Sequence, residues 1–275
     1  MKRELLVQLI ALFLATQALG LYTAEFLIRE NVQATLVTDN PEDLENSVGL
    51  FVYILGFTAV LLVLIKFLKE KWMYLVFKLL ESSAVFFTAL LVFNAFTDHI
   101  GIVVAAAGLV GARIVFAKNL LLRNAATVLS SAGAGALIGV SLGVFPVVVF
   151  LALLCVYDYI AVFKTKHMVT LAKSITRKNL SFTYALPTPE HVFELGAGDM
   201  VLPLTFAAST LDAAKPLHMF PFYWVPPAVV LLASLAGLLL TIWYSSRHVG
   251  KALPALPLQG IFMLIAWGLT KLAGF

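Results

Sequence analysis

Charge is what this sequence has least of. Asp, Glu, Lys and Arg supply only 12% of its 275 residues, against 61% hydrophobic, whereas a soluble globular domain is about a quarter charged and about half apolar. Such a supply cannot cover a water-facing surface, so water is not the chain's main solvent. Cysteine occurs once, at Cys155, which excludes an internal disulfide and a cysteine-built metal site and leaves the redox compartment unread. None of His99, His167, His191, His218 and His248 stands in the His-Glu-x-x-His setting of a zinc protease helix, so neither a metal nor another cofactor is expected. The formal net charge of +4 comes from short clusters between apolar runs, not from a basic stripe interleaved with aromatics, and nucleic acid is not an expected partner.

What the sequence has in abundance is apolar runs long enough to cross a hydrocarbon core about 30 Å thick. Read against their charged breaks, they give nine spans, at about 5–28, 48–65, 72–97, 100–117, 125–143, 145–163, 195–213, 222–244 and 253–273. Each must be helical, because a backbone in lipid has to satisfy its own donors and acceptors. The predicted fold is therefore an all-α polytopic membrane protein of nine transmembrane helices, forming one membrane domain over 1–275. The fifth and sixth spans are divided only by Gly143-Val144-Phe145-Pro146, where the proline suits the first turn of a new helix. Met1-Lys2-Arg3-Glu4 resembles the start of a signal peptide, but the apolar part runs on to about Ile28 without a persuasive cleavage site. It reads as a retained first helix.

Orientation follows from lysine and arginine, which stay on the cytoplasmic side. Alternate connections on one side hold fifteen of them: Lys2 and Arg3; Lys66, Lys69 and Lys71; Arg113, Lys118 and Arg123; Lys164, Lys166, Lys173, Arg177 and Lys178; Arg247 and Lys251. The other side holds three, Arg29, Lys215 and Lys271, and its first connection, 29–47, is acidic through Glu30, Asp39, Glu42, Asp43 and Glu45. The amino terminus is expected in the cytoplasm and the carboxyl terminus outside. The longest cytoplasmic connection, 164–194, opens with a basic amphipathic stretch, Lys164 to Lys178, suited to anionic headgroups. It continues as an extended-looking piece from Ser181 to Pro189.

An acid within an apolar helix costs about 3 kcal/mol on insertion scales, so each is a functional candidate. Glu25 lies near the outer end of its span, within reach of the interface. Glu81 has Lys78 three residues earlier on the same face, which makes a structural ion pair the simpler reading. Asp158 and Asp199 have no charged neighbour within one helical turn. Six residues before Lys164 and four after Leu195, they sit roughly 9 Å and 6 Å below the same membrane face at about 1.5 Å per residue. Their helices are consecutive and antiparallel, so side-by-side packing brings both acids to one pocket. Two carboxylates around one water do not both ionise easily and hold a shared proton. One then deprotonates the water while the other polarises a carbonyl, which is the chemistry of peptide hydrolysis without a metal.

Around Asp199 the chain reads Gly196-Ala197-Gly198-Asp199, and glycines there allow close approach of a substrate strand or partner helix. Pro254-Ala255-Leu256 opens the ninth span at matching depth. Taken together, Tyr157-Asp158, Leu195-Gly196-Ala197-Gly198-Asp199 and Pro254-Ala255-Leu256 resemble the three signature motifs of the presenilin and signal peptide peptidase family of intramembrane aspartyl proteases. Their order, their spans and the nine-helix count agree over the whole chain. The resemblance implies that Asp158 and Asp199 are the catalytic pair of a GxGD-type aspartic endopeptidase. It implies that Pro254, Ala255 and Leu256 shape the site and help engage substrate. Tyr157 precedes Asp158 and has a hydroxyl that can orient a carboxylate, although aromatic packing is the more usual role for a membrane tyrosine; with Gly196 and Gly198 it completes the expected substrate-binding set. The implied partners are the lipid bilayer and single transmembrane helices that unwind locally to expose a carbonyl, for which 181–189 offers a strand to pair with. A homo-oligomer is compatible with the sequence, which fixes no oligomeric state.

Within the family, presenilins keep the amino terminus in the cytosol and signal peptide peptidases are inverted; the charge count sides with presenilins. Short termini and compact loops resemble a microbial, archaeal homologue in a prokaryotic cell membrane. The short sixth-to-seventh connection departs from the long, self-cleaved loop of animal presenilins, which argues against self-processing. A serine protease is disfavoured because Ser130 and Ser131 lie mid-membrane while every histidine falls in or beside a connection. The remaining alternative is an ion or proton-coupled transporter or channel using the same two acids.

Overall fold

The computed structural model describes residues 3–161, 182–188, 192–247 and 255–275. In chain order its elements are α1 (Arg3–Arg29), α2 (Leu44–Phe67), α3 (Glu70–Asn94), α4 (Gly101–Val115), α5 (Leu120–Ser141), α6 (Val144–Ile160), β1 (Thr183–Pro187), β2 (Val192–Gly196), α7 (Gly198–Ala214), α8 (Val225–Arg247) and α9 (Leu256–Leu272). Among the described residues these are nine helices, one at each apolar run. Five of them, α1, α2, α3, α5 and α8, are long and apolar enough by themselves to cross a membrane. The division at Gly143 holds: its N–H donates to the Pro41 carbonyl at 2.8 Å, and Pro146 lies in the first turn of α6.

α5 is the axis around which α1, α3 and α7 pack. Lipid tails offer no hydrophobic force to press helices together, so close backbone approach between small residues does that work. A Cβ on Gly139 would lie 2.5 Å from the Thr205 carbonyl oxygen of α7, and one on Gly133 would lie 2.6 Å from the Thr88 carbonyl oxygen of α3. α8 packs on α7 and α9, while α6 bridges α2 and α9. Leu79, Phe87, Val104 and Leu121 are exposed on the outside, where lipid would meet them.

The ion pair expected at Glu81 is present, with Lys78 Nζ at 2.5 Å, and α4 adds Arg113 at 3.3 Å. Glu25 lies 3.8 Å from Lys215 and accepts from the Tyr223 hydroxyl at 3.5 Å.

Two local expectations are revised. The seventh helix starts at Gly198, not at 195, because Leu195 and Gly196 belong to β2. The stretch 181–189 contains a strand that the chain itself has paired: β1 runs antiparallel to β2 with Tyr184 opposite Leu195 and Leu186 opposite Phe193. On its other edge, Asn124 of α5 bonds both main-chain groups of Ala185, donating to its carbonyl and accepting from its N–H, each at 2.8 Å. The amphipathic stretch Lys164 to Lys178 lies outside the described residues.

Candidate active site

Three helix ends meet beside the hairpin. Tyr157 and Asp158 occupy the last turn of α6, Asp199 the first turn of α7, and Leu256 the first turn of α9 with Ala255 as its cap. A helix start leaves N–H groups without intrahelical partners, and its positive end suits a carboxylate. The Leu256 backbone N–H is within hydrogen-bonding range of the Asp158 carboxylate. Asp158 and Asp199, each half-buried, sit at the ends of two helices that pack on each other, and the charge of Asp158 is felt at Asp199. The two acids and two members of the Pro-Ala-Leu segment therefore converge, while Pro254 lies outside the described residues.

α6 and α9 touch through small atoms. Cys155 Sγ donates to the Leu256 carbonyl at 3.6 Å, and a Cβ on Gly260 would lie 2.7 Å from that sulfur. Tyr157 has its hydroxyl in hydrogen-bonding reach of Thr58 and its ring edge-on to Phe51, 6.1 Å between centroids. The hydroxyl thus reaches α2, and it also feels the charge of Asp158 beside it. A Cβ on Gly196 would meet Asp199 Oδ2 at an ordinary 3.6 Å, whereas one on Gly198 would meet nothing within 4 Å. Gly198 faces open space: it lines a cleft of about 750 Å³ whose walls include Phe57 and Thr58 of α2, Phe77 and Phe87 of α3, and Phe182.

The hairpin is welded to α5 and α7. Arg123, 2% exposed, donates to Glu194 of β2 through both terminal nitrogens, Nη1 at 3.0 Å. The Thr183 hydroxyl bonds both Arg123 and Glu194, the latter at 2.6 Å. The Ala197 N–H donates to the Phe182 carbonyl at 3.1 Å, which carries the hairpin's hydrogen bonding into the residue that caps α7. Neither Arg123 nor Glu194 stands out in the sequence as a site residue. They are 71 positions apart, and Arg123 counts there only as one basic residue in a connection.

Residues 10–193 match the family model described as signal-peptide peptidase, presenilin aspartyl protease. That stretch contains Asp158 and stops before Asp199. Two solved structures, each of a presenilin family intramembrane aspartate protease, are similar in fold. One, in a C222 crystal form, superposes with a TM-score of 0.73 at 20% identity over 98% of this chain and 99% of its own. The other, in a P2 form, gives 0.65 at 24% identity over 94% and 96%. No curated protein sequence matches the chain.

Proposed function

The chain belongs to the signal-peptide peptidase and presenilin family of aspartyl proteases and is an intramembrane aspartyl protease; we propose that Asp158 and Asp199 are its catalytic pair, in the GxGD manner. The observation that carries this reading is the meeting of the last turn of α6, which carries Asp158, with the first turn of α7, which carries Asp199. Family membership leaves the transporter alternative without support. We take Asp158 as the ionised member and Asp199 as the protonated member of a pair that holds one shared proton. In that state Asp158 takes a proton from water as the water oxygen bonds to the scissile carbonyl carbon, and Asp199 gives its proton to the carbonyl oxygen. Collapse of the tetrahedral diol then breaks the C–N bond. The nitrogen leaves with the proton Asp158 had gained, and the diol hydroxyl returns one to Asp199.

The substrate is a transmembrane helix of another protein, and the apolar cleft ending at Gly198 suits the passage of such a segment toward the acids. A helix hides its carbonyls, so it must open before it is cut. A substrate strand that pairs with the hairpin has the β2 edge to use, since Asn124 occupies β1 at Ala185. Ala255 and Leu256, at the start of α9, would help engage the substrate beside the acids. The lysine and arginine bias supports an amino terminus in the cytoplasm and a site near the cytoplasmic face, and the compact loops support a prokaryotic cell membrane, with 1–275 acting as one membrane domain.

The test is cleavage of a transmembrane reporter peptide by purified protein in liposomes, comparing wild type with Asp158→Ala and Asp199→Ala. Cleavage by wild type alone is the expected result. Equal cleavage by all three would refute the assignment of the pair.

A further inference from the structure

Pro203 lies inside α7, four residues after Asp199. A helical carbonyl accepts from the N–H four residues on, and proline has no N–H to give. The Asp199 carbonyl thus loses its helical partner within the turn that carries a catalytic acid. It takes instead a hydrogen bond from Gln259 Nε2, at 3.1 Å. Gln259 stands on α9 three residues past Leu256 and is fully buried. The same nitrogen donates to the Ser234 hydroxyl of α8 at 3.0 Å. α8 is shaped to admit it, since a Cβ on Gly237 would lie 2.9 Å from Gln259 Cα. One residue along, the Met200 carbonyl accepts from Gln17 Nε2 of α1 at 3.0 Å.

Burying a primary amide among apolar helices is costly unless it is bonded. Both glutamines put their donors on consecutive carbonyls of this one turn, and both leave the amide oxygen without a hydrogen-bond partner among the described residues. Donation to the turn is what the two positions have in common. We infer that Gln259 is a positioning residue for Asp199: its amide replaces the helical bond that Pro203 removes, and fixes the turn from which the carboxylate projects. α9 then addresses both acids, Asp158 through the Leu256 N–H and Asp199 through Gln259. One rigid helix sets the spacing of the pair. This inference rests on the reading of Asp199 as catalytic.

The experiment measures kcat and KM on the transmembrane reporter peptide for full-length wild type, Gln259→Met, Pro203→Ala and the double variant, in liposomes. Gln259→Met removes the donor at nearly constant volume. Its kcat is expected to fall about 10- to 100-fold, the scale of a misplaced catalytic group, with KM within about twofold. Adding Pro203→Ala returns a backbone N–H to position 203 and should restore most of the lost kcat, which no general loosening of the helix bundle would do. The inference is overturned if Gln259→Met keeps wild-type kcat, if KM moves in place of kcat, or if Pro203→Ala fails to rescue. Should Gln259→Met not fold alone, the double variant decides: folded and active supports the inference, unfolded or inactive overturns it. Asp199→Asn is assayed alongside. Inactivity there with no rescue at Gln259 removes the positioning role only, whereas wild-type cleavage by Asp199→Asn removes the catalytic reading itself.

Discussion

Replacing Arg123 with methionine would separate the hairpin from the bundle without touching Asp158 or Asp199. The guanidinium is 2% exposed and its partner Glu194 19%. The pair shares two N–H···O bonds, and both members also bond the Thr183 hydroxyl. Removing one partner of a buried pair leaves the other charge uncompensated, at a cost of about 3–5 kcal/mol. Glu194 retains some access to solvent, so the lower end applies and Arg123→Met should cost about 3 kcal/mol. Glu194→Met strands a more deeply buried cation and should cost at least as much. The double variant removes both charges. What remains is a Thr183 hydroxyl with neither former partner, a buried group worth about 1–2 kcal/mol. The two substitutions should therefore be far from additive, with the pair coupled by roughly 3–5 kcal/mol. Unfolding in mixed micelles by SDS titration measures this, and reporter cleavage should fall with the single variants because β2 leads into the first turn of α7. Additive losses, or single variants within about 0.5 kcal/mol of wild type, would refute the claim that this ion pair holds the hairpin.

Two packing predictions can be read by the same titration. Gly139→Ala drives a Cβ to 2.5 Å from the Thr205 carbonyl and 2.6 Å from Ala208 Cβ, so it should cost about 2–3 kcal/mol; Gly108→Ala, whose Cβ meets nothing within 4 Å, should be neutral or gain up to about 1 kcal/mol from helix propensity. Gly260→Ala, clashing with Cys155 Sγ at 2.7 Å, should cost about 1–3 kcal/mol and slow cleavage, and Cys155→Ala in that background should recover both.

Hydropathy made the helices legible because a bilayer leaves the backbone one economical conformation, and the length of each apolar run then fixes its place. The two acids were legible for a related reason: an unpaired carboxylate in such a run demands an explanation. The hairpin was half legible. Thr183 to Pro187 looks extended, but Leu195 and Gly196 of β2 read as the beginning of the next span, since a short strand and a helix start share apolar composition. What pairs across the fold left no local trace, as with Arg113 joining Lys78 at Glu81, or Arg123 reaching Glu194. Gln259 sits in an apolar helix as an unexplained amide. Pro203 did leave a signal: a proline four residues after an acid within a helix announces that the acid's carbonyl needs another donor.

An irregular backbone in lipid is expensive because nothing nearby can bond it, and each stranded group costs several kcal/mol. Hydrolysis nevertheless needs the irregularity, for water and an unwound substrate must reach carboxylates that a continuous helix would seal against its neighbours. Placing both acids at helix ends meets this need, since spare N–H groups such as that of Leu256 occur there without breaking any helix. Pro203 goes further and frees a carbonyl inside α7, which is tolerable only with buried donors at hand. Gln259 on the Asp199 carbonyl supplies one. Gln17 braces the next carbonyl along. The hairpin then holds the entry to the same turn through the Ala197 N–H. The first turn of α7 is thereby gripped from α1, α9 and the hairpin at once, and a turn held from three sides can keep a carboxylate aimed while the space in front of Gly198 stays open.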